Sequence, residues 1–243
     1  MHFHLPKPLH GWREFLGEVG IIVLAVLIAL GAEQLVEAAQ WRQKVEIATT
    51  EIHSEIDDQL DQSDEVVRFG KCAGPFVDAL EAAIVSHDKR AIGKLHDTQP
   101  PFEARPWRAN AWQSAMSTQV ADHIPPAELS QYAFMFSSFA DILTLQNSII
   151  GNFAEATTGR LGGPADPVST SLQLSAAEKM RTELALQSEI AAVMVGVAAG
   201  TVEPPRGKWK PFQRHPSADY EKTIRREGAL CEDTVASVAR GLS

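Results

Sequence analysis

The chain has little cysteine, few aromatic residues and no excess of positive charge, and each shortage removes a class of protein. Its 243 residues include 2 cysteines, Cys72 and Cys231. Two cannot staple a disulfide-dense scaffold, and with no CxxC and no neighbouring histidine they make no zinc site. Lys and Arg number 22 against 31 Asp and Glu, a formal net charge of -9, so no basic surface argues for nucleic acid. Also missing are a GxGxxG after a strand, a GxxxxGK[ST] loop, a GxSxG elbow, an HExxH pair and an EF-hand loop. The paired Glu-x-x-His of a di-iron bundle is absent too: Thr50 stands three residues before His53, and Gly93 three before His96. No catalytic residue, cofactor or metal-ligand set can be named.

Period-two alternation is almost absent as well, and what replaces it is helical periodicity headed by one apolar stretch, Phe15 to Val36. Its uncharged part, Val19 to Ala32, rises only about 21 Å, short of the ~30 Å hydrocarbon core of a bilayer. Taken from Phe15 to Val36 the helix rises about 33 Å and spans, with Glu18 and Glu33 near the two edges, where a carboxylate is far cheaper than at the midplane. Trp12 and Trp41 lie about 43 Å apart along such a helix, matching the ~40–45 Å between the two aromatic belts. Two other readings compete. Lys7 and Arg13 before the apolar core, with small residues at Ala29-Leu30-Gly31 or Val36-Glu37-Ala38, also describe a cleaved signal peptide, although Glu18 is awkward for it. A buried helix of a soluble protein leaves the flanking tryptophans unexplained.

The expected organisation is a leader over 1–14, a transmembrane helix over 15–36 and a helical domain over 37–243. Lys7 and Arg13 before the span nearly balance Arg42 and Lys44 after it, so charge alone does not orient it. A long domain translocates largely regardless of charge, which favours a cytoplasmic N-terminus and an extracytoplasmic body, single-pass in a bacterial inner membrane. Acidic residues from Glu51 to Glu65 read as a solvated face; anionic headgroups would repel them.

Beyond the span, Val45, Ile52, Ile56, Leu60 and Val67 predict an amphipathic continuation of the same helix to about residue 70, where Gly70 and Gly74-Pro75 end it. A second helix is expected from Pro75 to about His87, a short one from Asp88 to Leu95, and another through Trp107, Trp112 and Met116. Pro125-Pro126 opens what should be the longest helix of the body, with Leu129, Tyr132, Phe136, Phe139, Leu143, Ile150 and Phe153 at helical spacing. Thr157 to Pro167 reads as a loop. Ser175-Ala-Ala-Glu178 is a capping box for a helix carrying Met180, Leu184, Ile190, Met194 and Val197 inward and stopping at Gly200. A last helix runs from Ser217 to about Leu242. The fold class is therefore all-α: a transmembrane helix continuing into a long amphipathic helix, then an antiparallel helical bundle.

Gly17-Glu18-Val19-Gly20-Ile21-Ile22-Val23-Leu24 through Ile28-Ala29-Leu30, with Trp41 beyond, resembles the anchor of uncharacterised bacterial envelope proteins that carry one N-terminal transmembrane helix and a helical body. Ala111-Trp112-Gln113-Ser114-Ala115, followed by Pro125-Pro126 and Tyr132, is similar to the start of their body. The resemblance covers roughly the first 40 residues well and the rest loosely. It implies a single-pass architecture and no activity.

Few residues carry more than architecture. Glu18, Ala25, Ala29, Ala32 and Glu33 share one face of the anchor, a helix-packing face for a parallel homo-oligomer if the small side chains are not there by chance. In the loop after Gly200, Arg206, Lys208, Lys210 and Arg214 interleave with Trp209 and Phe212, which suits an anionic or partner surface; alternatively the rings plug the bundle and the cations stay solvated. Both cysteines lie in apolar series, and an extracytoplasmic body would allow a Cys72–Cys231 disulfide; a cytosolic one would leave two buried thiols. His53 and Asp57, one turn apart, read as a surface ion pair; His87, His96 and His123 fall near helix ends, and His2, His4 and His10 in a leader. The expected function is a membrane-anchored interaction or scaffold protein of the bacterial envelope, its partners the lipid bilayer, a second copy and an envelope protein. The alternative is a membrane-tethered sensor or ligand-binding domain coupled to its anchor helix.

Overall fold

The computed structural model describes residues 11–97, 107–158 and 166–204. The loop containing Arg206 to Arg214, the helix expected from Ser217, Cys231 and the leader histidines lie outside the described residues. The chain is all-α. It consists of α1 (Trp12–Val85), α2 (Lys89–Asp97), α3 (Asn110–Ser117), a single 3-10 turn (Ala121–His123), α4 (Pro126–Ala156) and α5 (Pro167–Ala198), with no strand among the described residues.

The apolar side chains sort into two clusters that set the direction of every helix. The lower one joins Ile52, Ile56 and Leu60 of α1 to Tyr132, Met135, Phe136, Phe139 and Ile142 of α4 and to Ala191, Met194 and Ala198 of α5. The upper one joins Phe76, Val77, Leu80 and Ile84 of α1 to Ile149 and Phe153 of α4 and to Ala177, Met180 and Leu184 of α5. Helix α4 therefore runs parallel to α1, and α5 runs antiparallel to both. Helix α5 makes the main contacts with each of them, while α1 and α4 touch little directly. It is the central strut of an antiparallel bundle. Helix α2 closes the far end, where His96 stacks on Phe153 with ring centroids 5.5 Å apart and its Nδ1 lies 3.0 Å from Thr157 Oγ1.

Helix α1 does not end at Gly70 or Gly74-Pro75. It is one helix of 74 residues, about 111 Å long, with Pro75 inside it. An internal proline removes a hydrogen bond and costs about 3 kcal/mol. That cost is outweighed by what lies on both sides: Phe76, Val77, Leu80, Ala83 and Ile84 are all buried, at about 1.5–3 kcal/mol for each large side chain. Gly70, read as a breaker, is a point of close approach, because a Cβ there would stand 2.6 Å from Ser188 Oγ of α5. The helix ends instead at Val85, with His87 in the left-handed region at φ 54° and Asp88 N–H donating to Ala83 O. Asp88 then accepts from the backbone N–H groups of Arg90 and Ala91 and starts α2.

Three other expectations shift. Ser175-Ala-Ala-Glu178 lies inside α5, which begins seven residues or more earlier at Pro167; Asp166 Oδ1 accepts from Val168 and Ser169 N–H at 2.9 and 3.0 Å. A capping box acts only where the chain before it is not helical, and an Asp-Pro pair already starts this helix upstream. With 32 residues α5 also exceeds α4, which has 31. Trp107 precedes α3 rather than lying in it. Gly200 does stop α5, at φ 73°, with Thr201 N–H donating to Gly196 O.

Candidate membrane-proximal site

One helix near the N-terminus is long and apolar enough to cross a membrane: an 18-residue window of α1 has a mean hydropathy of 2.5 and none of it is buried against the rest of the chain. A helix belonging to a soluble core is not placed in this way. Glu18, Ala25, Ala29, Ala32 and Glu33 are all exposed on this bare stretch, so no described side chain covers the expected packing face. The first fully buried residue of α1 is Ile52, and between Val36 and Ile52 the helix changes from membrane-facing to core-facing.

The base of the body meets α1 in that interval. The 3-10 turn and the start of α4 swing against the helix, and His123 stacks on Trp41 with centroids 4.0 Å apart and planes at 20°. Lys44 Nζ lies 4.4 Å from the same ring. Two groups that close to one centroid occupy opposite faces, so the indole is sandwiched. Its Nε1 donates to Glu37 Oε1 at 3.4 Å, one turn nearer the bilayer, which sets the ring orientation. Beside it lies an open groove of about 710 Å³, walled by Glu37, Trp41, Arg42 and Glu46 of α1 and by His123 and Pro125. Arg42 and Glu46 are exposed, and no salt bridge engages either of them among the described residues.

Higher up, a polar layer separates the two apolar clusters. Gln59 and Ser63 of α1, Gln146 of α4 and Gln187 of α5 are each at most 5% exposed. Trp107 Nε1 donates to Gln146 Oε1 at 2.7 Å, Gln187 Nε2 points to Ile142 O at 3.5 Å, and Gln59 Nε2 donates to Arg108 O. Ser63 Oγ donates to Gln59 O at 2.8 Å. Gln59 Oε1 and Gln62 Oε1 are buried without a donor. Hydropathy reading misses this layer because glutamine interrupts the apolar stripe. On α4 it leads from Phe139 to Leu143 and Ile150, whereas the buried line passes through Ile142, Gln146 and Ile149, leaving Ile150 exposed. On α5 the buried line likewise passes through Gln187 and Ala191 and leaves Ile190 half-buried.

Two further polar groups tie helices together. The Tyr132 hydroxyl donates to Glu128 Oε1 at 2.6 Å and accepts from His53 Nε2 at 2.7 Å, so His53 joins α1 to α4. Burial first, and the Glu128 carboxylate second, push that phenol well above its ordinary value of 10.0. Arg181 of α5 reaches Asp78 and Glu81 of α1, each at 2.8 Å; burial opposes its charge, but these carboxylates more than offset that and raise its pKa.

Cys72 is half-buried on α1 and disulfide-bonded. The chain's other cysteine, Cys231, lies outside the described residues. Among the described residues no group of three or more His, Cys, Asp or Glu side chains is arranged to hold a metal ion. His87 and His123 stand in connections between helices, and His96 in the last turn of α2. No family model, curated protein or solved structure matches the chain.

Proposed function

We propose that this protein is a membrane-tethered interaction or scaffold protein of the bacterial envelope, single-pass, with its N-terminus cytoplasmic and its helical body outside the cytoplasm. The observation that carries the reading is the continuity of α1. One uninterrupted helix supplies both the apolar stretch and a full side of the bundle, so the body is held by a rod rather than a flexible linker. The resemblance of the anchor to single-pass envelope proteins supports it, as does a disulfide-bonded Cys72, since such bonds persist in oxidising compartments. The face Glu18, Ala25, Ala29, Ala32 and Glu33 is the surface through which two copies would pack in the bilayer. Cysteine-accessibility mapping in intact cells tests the topology: labelling of an introduced cysteine at exposed Ser171 by a membrane-impermeant thiol reagent supports it, and labelling only after the inner membrane is opened refutes it. Recovery of monomer alone after crosslinking in mild detergent refutes the oligomer.

A second reading, a sensor coupled to its anchor, is favoured by the glutamine layer. A buried polar layer specifies register, and the two orphaned acceptors of α1 mark where α1 is held least firmly. Inserting three glycines after Gln43 would uncouple a sensor while leaving a scaffold competent to bind partners.

A further inference from the structure

We propose that the groove beside Trp41 is a binding site for the phosphoethanolamine headgroup of a phospholipid, a reading that rests on α1 crossing the bilayer. Depth is the first argument. The headgroup layer is about 5–7 Å thick on each side, and Trp41 stands five residues beyond Val36, about 7.5 Å above the span. Side chains of a helix lean toward its N-terminus, here toward the membrane, so Trp41 and Arg42 reach back into that layer. The base of the body, through His123 and Pro125, forms the other wall, so the groove opens at headgroup level rather than in bulk water.

The second argument is the order of charges. A phosphoethanolamine headgroup carries its phosphate near the glycerol and its ammonium farther out. The groove has its guanidinium, Arg42, on the bilayer side and its carboxylate, Glu46, one turn farther out, about 6 Å along the axis. Neither has an ion-pair partner among the described residues, so both are free to meet a ligand. Lys44 over one face of Trp41 and His123 over the other add donors for the phosphate, and Glu37 is engaged by the indole. A primary ammonium fits Glu46 through N–H donors that a trimethylated headgroup lacks and a glycerol headgroup cannot charge.

The test is native mass spectrometry of the full chain in mild detergent with phosphatidylethanolamine, phosphatidylcholine and phosphatidylglycerol supplied in equal amounts. Phosphatidylethanolamine should be retained about ten-fold over the other two, the effect of one charge-assisted hydrogen bond. Arg42→Gln should lower retention of all three. Glu46→Gln should abolish the preference and keep phosphate binding. Both positions are exposed, so helicity should be unchanged in each variant. Equal retention of the three lipids by the natural chain, or unchanged retention in Arg42→Gln, overturns the proposal. So does a dimer in which a second copy covers Trp41 and no lipid is bound. Soluble phosphoethanolamine binding as tightly as the lipid would also overturn it, assigning the groove to a free metabolite. Alkaline carbonate extraction separates this from the tether: release of the chain into the soluble fraction refutes the membrane reading, whatever the lipid preference in detergent.

Discussion

Gly70→Ala should destabilise the protein, although alanine is the better helix former. In an unconstrained helix the substitution stabilises by about 1 kcal/mol. At Gly70 the new Cβ would stand 2.6 Å from Ser188 Oγ and 3.1 Å from Ser188 Cβ. The hydroxyl can turn away to another rotamer, but the Cβ cannot, so α1 and α5 must separate slightly along their closest approach. Overpacking of this kind costs about 1–3 kcal/mol, which leaves a net loss of about 1 kcal/mol. For a chain of this size that is about 2–4 °C in Tm, readable by circular dichroism of the detergent-solubilised protein. The double variant Gly70→Ala/Ser188→Gly removes the obstruction, and the two changes should show a favourable coupling of about 1–2 kcal/mol. A raised Tm for Gly70→Ala alone, with no coupling to Ser188, would refute the close approach. It would also weaken the reason that α1 passes Gly74-Pro75 as one rod.

Tyr132→Phe deletes the hydroxyl between Glu128 and His53 and should cost about 1–2 kcal/mol by thermal unfolding. Because the Tyr132 pKa is raised in the folded state, its contribution is complete below about pH 10 and is lost as pH climbs above it; the variant should lose that part of the alkaline decline, and an unchanged alkaline limb would count against the geometry. Gln146→Leu orphans the buried Trp107 Nε1–H and should destabilise by about 1–3 kcal/mol, with Trp107→Phe in the same chain restoring much of the loss. Cys72→Ser should lower stability by about 2–5 kcal/mol in non-reducing buffer and by nothing once reductant is present; equal loss in both buffers would show that packing, not the bond, was removed.

What could be read from the residues depended on whether a local signal had a local cause. The apolar stretch and its flanking tryptophans, the stop at Gly200 and the start of α4 at Pro125-Pro126 each depend on a few adjacent residues, and each is where periodicity and cap chemistry place it. Asp166-Pro167 was equally legible as an N-cap followed by a first-turn proline, and a longer reading of that pair would have found the true start of α5. The break expected at Gly74-Pro75 fails for the opposite reason. Those residues do weaken a helix in isolation, but the contest is decided by Phe76, Val77 and Leu80 packing on a helix about one hundred residues away in sequence. Of the expected functional residues, the anchor face stands exposed, Cys72 is bonded, and Arg206, Lys208, Trp209, Lys210, Phe212 and Arg214 lie outside the described residues.

By itself, then, the amino-acid sequence determined the class of fold and the presence of one membrane-length helix, because hydropathy and helical period are sums over neighbours along the chain. Tertiary structure alone decided the rest. It set α5 between α1 and α4, placed glutamines from three helices in one buried layer, and brought His123 onto Trp41 to wall a groove. A polar residue at a core position becomes intelligible only when its partner is known, and for Gln146, Gln187 and Trp41 that partner lies on another element.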